Sequence, residues 1–290
     1  MYKCIKSLIT NLFLKSFFVD LLNLFFNSFL RIKKILDGSF SKQGKFFKIL
    51  PDDTFIVSYP KSGNNWVRFI VANLINKNFK NINFENLDQI VPDIHETKES
   101  ELNKLKDPRI FSSHDYFDVR FNKVIYIIRD PRDVIVSTYF YLSKLKILKN
   151  NYPKRRYVQR FLDGEFDSTF GSWYQNVGSW HGTKNKNILF IRYEDMLKNK
   201  YTSIKKISEF LNIKHNKKKL NKVLENTHLK SLQKQEIDTQ ERVSFLKDTR
   251  KDIRFFRSGK SNQWKQFLSA KESKLIKKKW GTYMKIFNYI

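Results

Sequence analysis

Hydrophobic positions in this chain follow two patterns, short continuous runs and longer stretches with helical spacing. The short runs predict buried strands, and they cover residues 55–59, 109–112, 123–128 and 187–192. The helical spacing predicts helices at residues 66–75, 134–148, 202–211, 216–235 and 269–286. Residues 76–108 are polar and mixed, which predicts short helices and loops. Strands that alternate with helices predict an α/β fold, with a mainly parallel central sheet and helices on both faces.

The N-terminal stretch, residues 5–36, has an amphipathic pattern of its own. Its polar positions recur at helical steps and would form one narrow stripe opposite a broad apolar face; they are Ser16, Asp20, Asn23, Asn27, Arg31 and Lys34. Such a helix can lie on a membrane, pack on the body or span a bilayer. Spanning would bury Asp20 at a cost of about 2.5–3.5 kcal/mol, and no signal-peptide cleavage site follows. We predict an N-terminal helical segment with its linker over residues 1–45 and one domain over residues 46–290.

The net charge and the cysteine content limit the classes of partner and the cellular compartment that are expected for this chain. The net charge of +28, from 56 basic and 28 acidic residues, predicts an anionic partner but does not choose among nucleotide, acidic glycan, anionic membrane and nucleic acid. Part of the excess reflects a chain that is rich in lysine throughout. Cys4 is the only cysteine, so no internal disulfide can form and a reducing, cytoplasmic setting is expected. The histidines are scattered without metal-ligand spacing, which predicts no bound metal.

Residues 54–66 predict an anion-binding site. A strand is followed by a corner of Lys61, Ser62 and Gly63, and then by a helix. Backbone N–H groups at a helix start and the helix dipole both favour negative charge, and Lys61 adds a mobile positive charge. The nucleotide P-loop pattern is absent from this stretch, because it contains a single glycine and the lysine precedes it.

Two more polar groups follow predicted strands. His114 comes just after the second strand, where open α/β sheets place ligands, and its side chain is suited to take a proton near neutral pH. Arg129 ends the third strand and Ser137 lies inside the next helix, and a guanidinium fork with a hydroxyl suits a phosphate dianion. The structural alternatives are a loop histidine bonded to backbone and a surface arginine paired with Asp130 or Asp133.

These motifs carry a family resemblance. Tyr-Pro-Lys-Ser-Gly-x-x-Trp at 59–66 resembles the 5′-phosphosulfate loop of the cytosolic-type sulfotransferases, which use 3′-phosphoadenosine 5′-phosphosulfate (PAPS) as sulfonyl donor. Arg-Asp-Pro-Arg-Asp-Val-x-Val-Ser at 129–137 resembles their 3′-phosphate site, and Tyr-Glu-Asp-Met at 193–196 is a further signature. The resemblance implies that His114 is the base and Lys61 a second catalytic residue. It also implies that a larger set contacts the donor: Lys61, Ser62, Gly63, Asn64, Asn65, Trp66, Arg129, Ser137, Tyr193, Thr227, Leu229, Arg257, Ser258 and Gly259.

Three positions depart from the family pattern. Ser112 stands two residues before His114, where many relatives carry a lysine. Ser258 replaces the lysine of an Arg-Lys-Gly pattern, and Leu229 stands where an aromatic residue usually meets the adenine. The Ser112 change removes a charge at the transferring group. The Ser258 change removes a charge that binds the donor, and the Leu229 change removes a stacking surface, so weaker donor binding is expected from these two.

The predicted activity is sulfonyl transfer from PAPS to a hydroxyl or amine acceptor by in-line displacement, without a metal. The acceptor can be a small molecule, a lipid or a glycan, and the apolar stretch at 5–36 favours a lipid-like or membrane-delivered one. Nucleic acid is not expected as a partner. Two alternatives stay open at this point. One is a P-loop-type nucleotide kinase or hydrolase, and the other is a non-catalytic basic module that binds nucleic acid or membrane.

Overall fold

Four parallel strands form the centre of the structure, a computed structural model that describes residues 47–76, 82–166, 170–185 and 187–290. The predictions for residues 1–45 therefore lie outside the described residues. The strands are β1 (Thr54–Ser58), β2 (Ile110–Ser113), β3 (Lys123–Ile128) and β4 (Ile188–Arg192). Every one of the predicted strands is present, with bounds that differ by at most a residue or two.

The strand order is β2-β1-β3-β4, and all neighbours pair in parallel. The chain moves from β1 to one side for β2 and then crosses to the other side for β3. Open parallel sheets bind ligands at such a reversal, beyond the carboxyl ends of the strands. The segments that follow β1 and β3 are therefore the ones positioned for a binding site.

Helices connect and cover the strands. Those in the first half are α1 (Asn64–Ile75), α2 (Leu87–Ile90), α3 (Glu99–Leu102), α4 (Pro131–Lys144), α5 (Lys154–Leu162) and α6 (Trp173–His181). Those in the second half are α7 (Tyr193–Lys198), α8 (Lys200–Phe210), α9 (Lys217–Asn226), α10 (Leu229–Thr239), α11 (Ser244–Lys247), α12 (Trp264–Phe267) and α13 (Ala270–Ile286). The α/β fold class is confirmed, with helices on both faces of the sheet.

Alternating strand residues build two hydrophobic cores, one on each face. Phe55 and Tyr126 point to the face that α4, α5, α6 and α13 cover. Ile56 and Ile125 point to the opposite face, against α1, α8 and α9. Because both faces are buried, the strands are apolar at consecutive positions, which is why their hydrophobic runs were continuous.

The clearest difference from the prediction lies in residues 216–235, which form two helices, α9 and α10, instead of one. The Thr227 hydroxyl donates to the Val223 carbonyl at 2.7 Å and ends α9. The His228 ring then accepts from the Lys230 N–H at 3.3 Å and caps α10. Thr227 therefore lies at the junction between the two helices.

The other differences are small shifts of helix ends. α1 and α4 begin two and three residues before the predicted positions, since Gly63 and Asp130 are their N-cap residues. Among the described residues no helix combines the length and the apolar character that crossing a membrane requires.

Candidate functional site

A cavity of about 670 Å³ opens beyond the carboxyl ends of β1 and β3. All of the predicted site residues line it except Ser62. Lys61, which follows β1, and Arg129, which follows β3, therefore face the same space. The segment around Arg257 and the start of α10 close it from the C-terminal half of the chain. The sheet order thus brings residues nearly 200 positions apart into one site.

The corner after β1 is held in an unusual backbone conformation. Lys61 has φ of 66° and Gly63 has φ of 105°, both in the left-handed region. A Cβ at residue 63 would lie 2.7 Å from the Tyr193 ring, so this position needs glycine for space as well as for conformation. Helix α1 begins here without a side-chain cap. Its first N–H groups are therefore available to an anion in the cavity.

The Lys61 ammonium lies between two aromatic rings. Its Nζ is 3.6 Å from the Tyr141 ring centroid and 4.7 Å from that of Phe255. Withdrawal from water, together with the nearby Arg129 charge, lowers the Lys61 pKa to about 7 against the opposing effect of Glu236. A lysine in this state gains its full charge when an anion enters the cavity.

Arg129 connects the two halves of the anion site. Its Nη1 donates to the Lys61 carbonyl at 3.0 Å and its Nη2 to the Lys260 carbonyl at 3.4 Å, while the guanidinium lies 4.3 Å from the Tyr193 ring centroid. Arg129 Nε and Ser62 Oγ are buried and have no hydrogen-bond partner within the described part of the chain. Polar groups left in this way are costly unless something satisfies them, and a bound phosphate would suit the guanidinium.

The segment from Arg257 to Trp264 is fixed by a carboxylate that sequence patterns did not assign to the site. Asp133, in the first turn of α4, accepts from the Asn262 N–H at 2.7 Å and from the Trp264 N–H at 3.0 Å. Arg257 is oriented by Gln263 Oε1 at 2.5 Å and by the Phe140 ring at 4.1 Å. Burial and the charge of Arg129 lower the Arg257 pKa, which indicates two guanidinium groups that share one region of space.

The remaining predicted donor residues form an apolar slot. The Trp66 ring lies edge-on to Tyr193 with centroids 5.7 Å apart, and its Nε1 donates to the Thr227 carbonyl at 3.1 Å. Leu229 packs over Gly259, where a Cβ would come within 3.0 Å of the leucine. A flat, uncharged group of the size of a nucleobase suits such walls.

His114 is held in one orientation and one tautomer. Its Nδ1 lies 2.7 Å from the Ser58 carbonyl oxygen, which can only accept, so Nδ1 carries the proton. Nε2 is then the basic nitrogen. Burial lowers the pKa of His114, although the charge of Asp93 opposes this effect. The lowered pKa keeps the ring neutral at physiological pH. A neutral, oriented imidazole in a cavity is equipped to accept a proton.

Ser112 does not face the cavity as a charge-bearing residue would. It is fully buried, and its hydroxyl lies 2.8 Å from Asn64 Oδ1 and 3.1 Å from Asp93 Oδ2. Asn64 in turn donates to the Ile56 and Ser113 carbonyls at 3.3 and 3.2 Å. The Asn64 side chain therefore ties β1 to β2, which leaves its backbone N–H as the group available to a ligand.

Two residues around His114 were missed by sequence reasoning. Asn176 Nδ2 donates to the His114 carbonyl at 3.0 Å, and its Oδ1 accepts from Tyr126 at 2.8 Å. His95 also lines the cavity, and its Nε2 lies 3.3 Å from Asp115. An isolated β-bridge between Asp93 and Ser112 places the segment that contains His95 next to β2. That pairing leaves no local signal in the sequence.

The far end of the cavity, beside His114, is aromatic. Phe170 lies 5.5 Å from the His114 ring centroid and 4.9 Å from that of His95. Phe166, Phe245 and Tyr141 also line the cavity. The aromatic residues of the 166–181 stretch occupy two environments: Trp173 and Trp180 are buried, whereas Phe166 and Phe170 line the cavity.

Within the part of the chain that the structure describes, no three His, Cys, Asp or Glu side chains are grouped closely enough to hold a metal ion.

Comparisons with known proteins identify relatives of this chain. The family model of the sulfotransferase domain matches residues 51–287. The chain is 32% identical over 267 residues to Sulfotransferase 2A2 of Rattus norvegicus, which covers 87% of this chain and 90% of that relative. It is 32% identical over 240 residues to 3-beta-hydroxysteroid sulfotransferase of Cavia porcellus, with 78% and 82% covered.

Solved structures share the fold. Mouse sulfotransferase SULT7A1 complexed with PAP superposes with a TM-score of 0.66 at 26% identity, over 82% of this chain and 85% of that one. Retinol dehydratase in complex with retinol and PAP superposes with a TM-score of 0.64 at 21% identity, over 82% and 83%. At that identity, the second comparison supports the fold alone.

Proposed function

The chain belongs to the sulfotransferase family and is an enzyme of PAPS-dependent sulfonyl transfer, and from this premise we propose how its residues divide the work. The donor end of the cavity is the region around Lys61, Arg129 and Arg257, and the acceptor end is the aromatic region beside His114. PAPS supplies a sulfonyl group and leaves as 3′-phosphoadenosine 5′-phosphate (PAP). The kinase or hydrolase and the non-catalytic module have no support from these relatives.

The corner after β1 holds the 5′-phosphosulfate. The N–H groups from Gly63 to Trp66, at the uncapped start of α1, donate to the anion, and Lys61 leaves its place between Tyr141 and Phe255 to contact it. Lys61 then carries a full positive charge beside the phosphate that departs. Charge that is already positioned in a dry site stabilises the developing negative charge far more than water does.

Two guanidinium groups hold the 3′-phosphate. Arg129 and Arg257 both line the cavity, and the charge of Arg129 lowers the Arg257 pKa. A phosphate dianion between them would remove that repulsion and would satisfy Arg129 Nε. Ser137, Ser258 and the Gly259 N–H complete this group of donors.

The adenine occupies the slot formed by Trp66, Tyr193, Thr227 and Leu229. The Thr227 hydroxyl donates a hydrogen bond to the Val223 carbonyl. Its lone pairs are therefore left to accept a hydrogen bond from the exocyclic amine of the base. Leu229 gives apolar contact instead of ring stacking.

His114 Nε2 accepts the proton of the acceptor hydroxyl. The acceptor oxygen forms its bond to sulfur as the bond from sulfur to the bridging phosphate oxygen breaks, and the proton moves to the imidazole. The hydrogen bond to Ser58 at 2.7 Å stabilises the imidazolium that forms. Asn176 acts as a positioning residue, because it fixes the His114 backbone.

The acceptor is an apolar alcohol or phenol. Its body lies against Phe166, Phe170 and Phe245, and its hydroxyl reaches His114. Two relatives that are 30% and 32% identical to this chain are named hydroxysteroid sulfotransferases. A sterol-like or phenolic acceptor also suits these walls better than a glycan does.

The observation that carries the proposal is that Lys61 and Arg129 line one cavity and share a hydrogen bond of 3.0 Å. The test is a transfer assay with ³⁵S-labelled PAPS and a panel of a 3β-hydroxysteroid, a simple phenol and a sugar. We expect labelled steroid or phenol without added metal and no phosphoryl transfer from ATP. Labelled sugar alone would contradict the acceptor class, and no product with any acceptor would contradict the catalytic assignment.

A further inference from the structure

The outer face of α13 carries an open groove of about 1,020 Å³ that takes no part in the reaction site. One face of this helix is packed on the body through Ile276, Trp280 and Met284. The other face is exposed. Gly281 and Thr282 line the groove, and these small residues leave space open.

Lysines form the rim of this groove at helical spacing, so their charges add along one stripe. They are Lys271, Lys274, Lys277, Lys278 and Lys285. None of them forms an ion pair with another of the described residues. Glu272 is the one acidic residue of α13, and its carboxylate accepts from the Ser269 N–H and hydroxyl, both at 2.7 Å, in a capping box and not from these lysines.

Aliphatic side chains lie between these lysines. Leu275, Ile286 and Ile290 line the groove and remain 41%, 45% and 43% exposed. Exposure of apolar side chains to water is unfavourable, and covering them with an apolar phase lowers the free energy. A helix face with both features is typical of interfacial binding.

We propose that this α13 face docks on an anionic lipid bilayer. The lysines meet acidic headgroups, and Leu275, Ile286 and Ile290 enter the boundary between headgroups and acyl chains. Clusters of four to eight basic residues on an amphipathic helix have the charge that such surfaces attract.

The lysines and the aliphatic residues of the groove argue against three other occupants: a second copy of this chain, residues 5–36 and a nucleic acid. A symmetric dimer through this face would place lysines opposite lysines. Residues 5–36 of this chain, which are apolar enough to fill a groove, hold five basic residues and one acidic one, so their net charge has the same sign as the rim. A nucleic acid would match the lysines but would leave the aliphatic residues exposed.

The test is flotation of the full-length protein with vesicles of phosphatidylcholine alone or with 30% phosphatidylserine. Each lysine near an anionic surface strengthens binding about fivefold, so Lys274→Gln/Lys278→Gln is expected to weaken binding to the anionic vesicles about 25-fold. The matched control is Lys217→Gln/Lys218→Gln on α9, which lowers the net charge equally on the other side of the sheet and is expected to weaken binding less than threefold. Leu275→Ser/Ile286→Ser is expected to weaken binding at every salt concentration.

Three results would overturn the proposal. Equal losses in the groove and control variants would mean that overall charge is responsible. An unchanged groove variant would mean that another segment, such as residues 5–36, binds the vesicles. Failure of the wild-type chain to float with either vesicle, whether or not it binds an oligonucleotide or forms a dimer, would remove the bilayer as partner.

Discussion

At the scale of single residues, the chemistry depends on two nitrogen atoms, His114 Nε2 and Lys61 Nζ. Burial lowers the pKa of both side chains, but the two must be in opposite protonation states to act. His114 is neutral and basic above its lowered pKa, which lies below the usual 6.5. Lys61 in the free enzyme is charged only below about pH 7.

This opposition predicts a difference between two pH profiles. The kcat/KM for PAPS, which reports the free enzyme, is expected to rise as His114 loses its proton below pH 6.5 and to fall as Lys61 loses its own above about pH 7. The kcat reports the complex, where the phosphosulfate raises the Lys61 pKa, and it is expected to stay level up to pH 9. Identical profiles would contradict the placement of Lys61.

Replacement of the base gives a second prediction at this scale. His114→Ala is expected to lower kcat by about 10²–10⁴-fold, the range that general base catalysis contributes, while the Kd for PAP changes less than threefold. Transfer rates and calorimetry on the same preparation measure the two effects. Asn176→Ala is the positioning control, with a smaller loss of kcat; normal turnover in His114→Ala would remove the base assignment.

Proton uptake tests Lys61 without catalysis. When PAP binds at pH 8, Lys61 is expected to change from mostly neutral to charged, because its free pKa is about 7 and an anion raises it. Calorimetry in buffers of different ionisation enthalpy should report close to one proton taken up. Lys61→Arg, which is charged throughout, should show almost none; equal uptake in both proteins would contradict this account of Lys61.

At the scale of elements, the 3′-phosphate side depends on how α4 holds the 257–264 segment. Asp133→Ala removes the acceptor of the Asn262 and Trp264 N–H groups. We expect the Kd for PAP to rise about tenfold or more, since two charge-assisted hydrogen bonds of about 1.5–3 kcal/mol each hold the segment that carries Arg257. Asp133→Asn, which keeps one carbonyl oxygen, should fall between; a Kd unchanged in Asp133→Ala would show that the segment is held by other contacts.

A buried ion pair fixes the neighbouring segment that carries Phe255 and Phe256. Lys144 Nζ lies 3.4 Å from Glu236, and Glu236 also accepts from the Phe255 and Phe256 N–H groups at 2.6 and 3.1 Å. Lys144→Met leaves an unpaired buried carboxylate and is expected to lower the free energy of unfolding by about 3–5 kcal/mol. Denaturant unfolding measures it, and exposed Lys154→Met is the control; equal stability of the two variants would contradict the buried pair.

Local patterns predicted what depends on local chemistry. The strands follow from apolar runs, α13 from helical spacing, and the corner at Lys61 from a single glycine between charged and polar neighbours. His95, Asn176 and Asp133 could not be found in this way, because each acts through a partner on another element. Nor does any local pattern show that Lys144 is buried against Glu236, a residue distant in the sequence.

At the scale of the whole molecule, the parallel sheet brings segments that are distant in the sequence together in one site. The strand order places the ends of β1 and β3 side by side, and α10 with the 257–264 segment closes the cavity from the other half of the chain. The charge of +28 is not confined to this cavity; the lysine-rimmed face of α13 is a second region where it is concentrated.

The central claim is that one cavity grips both ends of a doubly phosphorylated adenosine. Calorimetry with PAP and with adenosine 5′-monophosphate, which lacks the 3′-phosphate, tests it in the wild type and in Arg129→Ala. We predict that PAP binds the wild type at least 100-fold more tightly, from two charged contacts of about 1.5–3 kcal/mol each, and that Arg129→Ala removes most of this difference. Equal affinity for the two nucleotides in the wild type would contradict the account.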